Sequence, residues 1–117
     1  MYDDIGISET LNGPAVKSLS IWPNSDYINV WIVHAIADPG IAGYSTLPGA
    51  APAVDGVVLL ANQITNSALS THEFGHYFGL YHTFQGGTAT VCPINTDCTS
   101  NGDRVCDTPP HLYVQSG

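Results

Sequence analysis

Residues 72–82 read His72-Glu73-Phe74-Gly75-His76-Tyr77-Phe78-Gly79-Leu80-Tyr81-His82, and they decide how the rest of the chain is read. On a helix, positions four apart stand one turn above each other on the same face. His72 and His76 can therefore aim two imidazoles at one ion, about 2.0–2.1 Å from each nitrogen. Glu73, offset by one residue, need not compete as a ligand and can reach a water in an open coordination position. A continued helix would carry residue 82 off the face that His72 and His76 share and more than a turn beyond His76. Gly79 removes that obstacle, because without a Cβ it can take a positive φ, end the helix and turn the chain. His82 can then return as a third ligand. Three protein ligands with one open position is the arrangement of catalytic rather than structural zinc. The competing reading is a helix with two surface or capping histidines and an unrelated third. It must treat Gly79, His82 and the placement of one of only two glutamates as coincidences.

Working outward, Asn66 or Ser67 can cap this helix, which is expected to run to about Phe78 and stop at Gly79. Upstream, Tyr27-Ile28-Asn29-Val30-Trp31-Ile32-Val33 is almost wholly apolar, β-branched or aromatic and reads as a strand buried on both faces. Ile41 to Leu47 is a poorer strand, interrupted by Gly43 and closed by Pro48-Gly49, which places it at a sheet edge. Val57-Val58-Leu59-Leu60 is a third, short strand. Residues 1–24 read as loop with at most a short strand, with Pro14 and Pro23 as breakers. After Phe84-Gln85-Gly86-Gly87 the chain reads as loop, rich in Cys, Asn, Thr, Asp and Pro. A few strands, one long helix and then irregular chain imply an α+β fold in a single domain. His34 and His111 have no partner in the motif.

Composition narrows the function classes. The chain has 117 residues, a formal net charge of −8 and only two basic side chains, Lys17 and Arg104. Nucleic acids and anionic membranes call for basic patches, so neither is an expected partner. No stretch is long enough to cross a membrane. The opening Met1-Tyr2-Asp3-Asp4 has no apolar run behind it and is not a signal peptide. Either a signal was removed and Met1 added, or the chain is an internal piece of a longer one. Three cysteines, Cys92, Cys98 and Cys106, lie within fifteen residues of one another. The odd count leaves one thiol free or paired elsewhere.

The residues His72 through Gly87, HEFGHYFGLYHTFQGG, contain the H-E-x-x-H-x-x-G-x-x-H signature of metzincins, and with their downstream extension they resemble the pappalysin (M43-like) family of zinc metallopeptidases. Gly102-Asp103-Arg104-Val105-Cys106-Asp107-Thr108-Pro109-Pro110 is similar to that family's segment after the zinc site. Tyr27 to Leu60 resembles its preceding sheet. The likeness covers roughly residues 15–110. It implies a metzincin-like upper subdomain: a small, twisted, mostly parallel sheet with an antiparallel edge strand, packed on the active-site helix and followed by a Cys/Asp-rich loop. Metzincins also carry a methionine turn in a lower subdomain. The only methionine here is Met1, so residues 1–117 are expected to form a partial catalytic domain, cut at both ends.

The resemblance further implies a secreted zinc endopeptidase acting on a peptide or protein substrate. Peptide bonds would be hydrolysed through a zinc-bound water, with Glu73 as general base and acid and His72, His76 and His82 as metal ligands. Gly43, Tyr44 and Ser45, on the edge strand, are expected to bind substrate by strand addition. Some family members bind calcium in the later segment, which makes Asp103, Asp107 and Thr108, with Asp97, candidate calcium ligands; turn formation is the plainer role for such aspartates. Cys92 and Cys98 span a short loop that a disulfide could close, with Cys106 pairing elsewhere. A structural zinc site of three cysteines is the rival, weakened by the absence of any C-x-x-C pair. The alternative functions are a zinc-binding but catalytically silent fragment and a secreted interaction module. Retention of Glu73 speaks against both, since neither needs a base there.

Overall fold

The computed structural model describes residues 13–113, so readings that concern residues 1–12 and 114–117 lie outside it. The chain divides into two compact units, one ending at Gly79 and the other beginning at Leu80. Among the described residues, the first holds all the regular structure: α1 (Gly13–Lys17), β1 (Val30–Val33), β2 (Gly43–Ser45), β3 (Val57–Leu60), a 3₁₀ turn (Ala61–Gln63) and α2 (Ser67–Tyr77). The α+β class stands, with a small mixed sheet in the order β1-β3-β2.

Helix α1 departs from expectation, for Pro14 starts a helix rather than breaking one. Pro14 lies in the first turn, where a backbone N–H has no helical partner in any case, and its carbonyl accepts from Ser18 N at 3.1 Å. The turn delivers Lys17 into the interior. Only 3% of Lys17 is exposed. Its ammonium donates to Val54 O at 2.7 Å and stands 5.1 Å from the Trp31 ring centre and 5.3 Å from that of Tyr44. A buried cation is tolerable because a carbonyl and two aromatic faces replace part of its water.

β3 is the central strand. It pairs with β1 in parallel, Val30 opposite Val57 and Val33 opposite Leu60, and with β2 antiparallel, Gly43 opposite Leu59 and Ser45 opposite Val57. The sheet therefore contains one parallel and one antiparallel pair among the described residues, rather than being mostly parallel. Val57 and Val58 are fully buried, as an apolar central strand requires. β1 corrects the expectation of burial on both faces. Trp31 faces the core, while Val30 and Ile32 are 42% and 55% exposed, the alternation of a strand covered on one side. The strand is also shorter than its apolar run, beginning at Val30 just after Asn29. The Asn29 side chain accepts from Trp22 N at 2.8 Å and donates to Trp22 O at 2.9 Å, while its carbonyl accepts from Val57 N at 2.9 Å.

Trp31, Tyr44 and Val58 form the buried cluster, with Val16, Val33 and Ile36 packed on it. Gly56 makes the approach to β1 possible: it has φ 146°, and a β-carbon there would stand 2.3 Å from Asn29 O and 2.6 Å from Trp31 Cζ3. Helix α2 packs against β2 and β3. No helix among the described residues is long and apolar enough to cross a membrane.

The second unit has no helix or strand among its described residues and is built from turns. Its disulfide joins Cys98 to Cys106, with Cα atoms 5.0 Å apart, and leaves Cys92 exposed and free. The expected Cys92–Cys98 link is thus replaced by one across the following loop. The local cause is a tight reversal. Asp97 accepts from Thr99 N, Thr99 Oγ1 and Ser100 Oγ, its carbonyl takes Asn101 N at 2.8 Å, and Arg104 adopts a left-handed φ of 61°. These turns bring Cys106 back to Cys98.

Candidate metal centre

Helix α2 begins where the sequence signals it. Asn66 has extended backbone angles and its side chain accepts from Leu69 N, an N-cap that satisfies one otherwise unpaired donor. The helix ends at Tyr77, with Gly79 at φ 95° and its N–H donating to His76 O at 2.8 Å. Between these stops, His72 and His76 share a face. Their Nε2 atoms are 3.0 Å apart and their rings meet edge to face, with centres 4.5 Å apart.

That convergence is the test of whether a metal fits. Two nitrogens bound tetrahedrally at 2.0–2.1 Å stand about 3.3 Å apart, so the observed pair needs to open by only a few tenths of an ångström. Burial and the neighbouring His76 both hold the His72 pKa below its ordinary value, which favours the neutral, metal-binding form. His82 lies in the second unit. Within the first unit, His72 and His76 bring two ligand nitrogens together.

Glu73 is the buried residue of α2, 5% exposed. Burial raises its carboxyl pKa, partly offset by His76. The adjacent turn carries a support that sequence reading did not single out. Tyr77 Oη donates to Asp55 Oδ2 at 3.4 Å, and Asp55 also accepts from Thr46 Oγ1 at 2.9 Å and Asn24 Nδ2 at 3.0 Å. Asp55 thus ties the end of α2 to the segments flanking β2 and β3. The Tyr77 pKa is raised, by burial first and then by the charge and hydrogen bond of Asp55. The only prior signal was an Asp-Gly pair ahead of a strand, which also marks an ordinary turn.

In β2, Gly43, Tyr44 and Ser45 occupy one edge of the sheet, paired on their inner side with β3. In the second unit, the His82 ring stacks on Phe84 and the Arg104 guanidinium lies over Tyr81. The candidate calcium ligands are occupied locally. Asp103 is buried and accepts from Val105 N at 3.0 Å, and the Thr108 carbonyl accepts from Asn95 Nδ2 at 3.1 Å. Asp107 is exposed. These residues join no group of three acidic, Cys or His ligands among the described residues, so the calcium expectation gains no support.

Comparison with known proteins agrees with this site. The M43 peptidase family profile, described as pregnancy-associated plasma protein-A, matches residues 15–115. An extracellular metalloprotease of Sordaria macrospora is 46% identical over 77 residues, covering 63% of this chain and 19% of that protein. One from Pyricularia oryzae is 33% identical over 102 residues, covering 77% of this chain and 32% of its own length. Extracellular metalloprotease 1 of Coccidioides posadasii is 34% identical over 104 residues, covering 77% and 33%. The chain therefore spans about a fifth to a third of the length of these three relatives. A histidine pair set on a capped helix, in a segment matched almost end to end, places the chain in the M43 family of metallopeptidases.

Proposed function

We propose that this chain belongs to a zinc-dependent endopeptidase in which His72, His76 and His82 hold the ion and Glu73 is general base and acid. The observation that carries the reading is the buried, pKa-raised carboxylate of Glu73 one residue from the converging His72–His76 pair. A carboxyl lifted toward neutrality by burial is better matched to taking and returning a proton than a solvated one. Zinc, when bound, supplies a Lewis acid for the scissile carbonyl and lowers the pKa of water. Glu73 accepts a proton from the attacking water and returns it to the leaving amine. Gly43, Tyr44 and Ser45 receive an extended peptide along the edge of β2 by strand addition. The partner is a peptide or protein; a net charge of −8 suits neither nucleic acid nor an anionic membrane. Relatives named as extracellular support secretion.

The test is a mass-spectrometric survey of peptides cleaved by zinc-loaded wild type and by Glu73→Gln. Glutamine keeps the size and a hydrogen bond but cannot accept the proton. Zinc content is expected to hold while cleavage falls by about 10²–10⁴. Equal cleavage by the two proteins would remove Glu73 from the chemistry. Zinc binding with no cleavage by wild type would favour a zinc-holding but catalytically silent fragment or an interaction module instead.

A further inference from the structure

His72 and His76 are aimed by a helix, whose backbone restricts side-chain rotamers. His82 lies in irregular chain, where no such restriction applies, yet a metal binds an imidazole nitrogen in the plane of the ring. Something else must set that plane. The His82 and Phe84 rings stand 4.7 Å apart with only 10° between their planes. Phe84 is itself gripped edge-on, by Tyr113 at 4.8 Å and 76° and by His111 at 6.0 Å and 68°.

Both nitrogens of His111 are engaged, Nδ1 with Leu112 O at 2.8 Å and Nε2 with Thr83 Oγ1. The backbone closes the same corner. Gln85 N donates to His82 O and Gly87 N to Phe84 O, each at 2.8 Å, and Tyr113 N donates to Thr88 O at 3.1 Å. We propose that Phe84 is a positioning residue for His82: its face, stacked on the imidazole, fixes the plane in which the ring nitrogens lie. His111 and Tyr113, which the zinc motif does not include, hold Phe84 in turn. The inference rests on the reading of His82 as third ligand.

Stacking on a flat face blocks rotation of the imidazole about its Cβ–Cγ bond, since a turned ring would drive its edge into the phenyl. Leucine at 84 keeps apolar bulk but loses the face; tyrosine keeps the face. Zinc affinity is measured by competition with a chromophoric chelator on the 117-residue chain, for wild type, Phe84→Leu, Phe84→Tyr and His82→Ala. Groups that orient metal ligands typically contribute 10–100-fold to affinity. Phe84→Leu is expected to lose about that much, and Phe84→Tyr to stay within about twofold of wild type. A loss with His82→Ala but none with Phe84→Leu would overturn the role of Phe84. An unchanged affinity in His82→Ala would overturn the ligand assignment beneath it. A measurement on zinc-free wild type serves if a variant does not fold: the His82 ring protons should resonate upfield, shielded by Phe84. Random-coil shifts there would sink the proposal.

Discussion

Glu73 occupies space that Gly43 leaves open: a β-carbon at position 43 would stand 3.2 Å from Glu73 Cγ, 3.1 Å from Leu59 Cδ2 and 3.0 Å from Val58 O. Strand β2 and helix α2 thus meet where one side chain is missing, and the proposed base fills the gap. Val58 O belongs to the central strand and cannot easily yield. Gly43→Ala is expected to destabilise the first unit by about 1–3 kcal/mol. Displacement of Glu73 is expected to slow cleavage by up to about 10²-fold. Thermal melts of the two proteins check the first expectation; an unchanged melting temperature would mean that β2 and α2 are not packed this closely.

Loss of one ligand should be visible in the metal content. His72→Ala and His82→Ala are each expected to lose most bound zinc, while His34→Ala, outside the motif, keeps it. Protons compete with the metal for neutral imidazole, so wild-type zinc should be released as the pH falls below about 6. The lowered pKa of His72 displaces its part of that competition toward more acid conditions. Full zinc content in wild type at pH 4 would count against an all-histidine site.

The disulfide makes a separate claim. Peptide mapping without reduction should find Cys98 linked to Cys106 and Cys92 alkylated. Closing so short a loop contributes about 2–3 kcal/mol by restricting the unfolded chain. Cys98→Ser should therefore melt earlier than wild type, and Cys92→Ser should not. A Cys92–Cys98 peptide in the map would reverse the assignment.

Tyr77 should titrate late. Its pKa is raised, so the folded state favours the protonated phenol. That contribution to stability is complete below the unfolded value near 10 and fades as the pH climbs through the higher folded value. Ultraviolet titration should show a high-pH step that is absent in Tyr77→Phe. The step should move down in Asp55→Asn, which loses the neighbouring negative charge. An identical titration in wild type and Tyr77→Phe would refute the contact with Asp55.

The sequence by itself determined the helix and the candidate ligand pair that it presents on one face. Asn66, Gly79 and the four-residue step from His72 to His76 act through local geometry, and local geometry is written in consecutive residues. It also marked Val57–Leu60 as a short apolar strand; its central place between β1 and β2 came from the tertiary structure. Only the tertiary structure decided the rest. Val30 and Ile32 look as buried as Trp31 in sequence, but which face of β1 is covered depends on what packs there. Pro14 reads as a breaker until its position in the first turn is known. Three cysteines can pair in three ways, and the choice fell to a reversal set by Asp97 and Arg104. The space that Gly43 leaves for Glu73 joins residues thirty positions apart; the packing of α2 against β2, not any local signal, creates it.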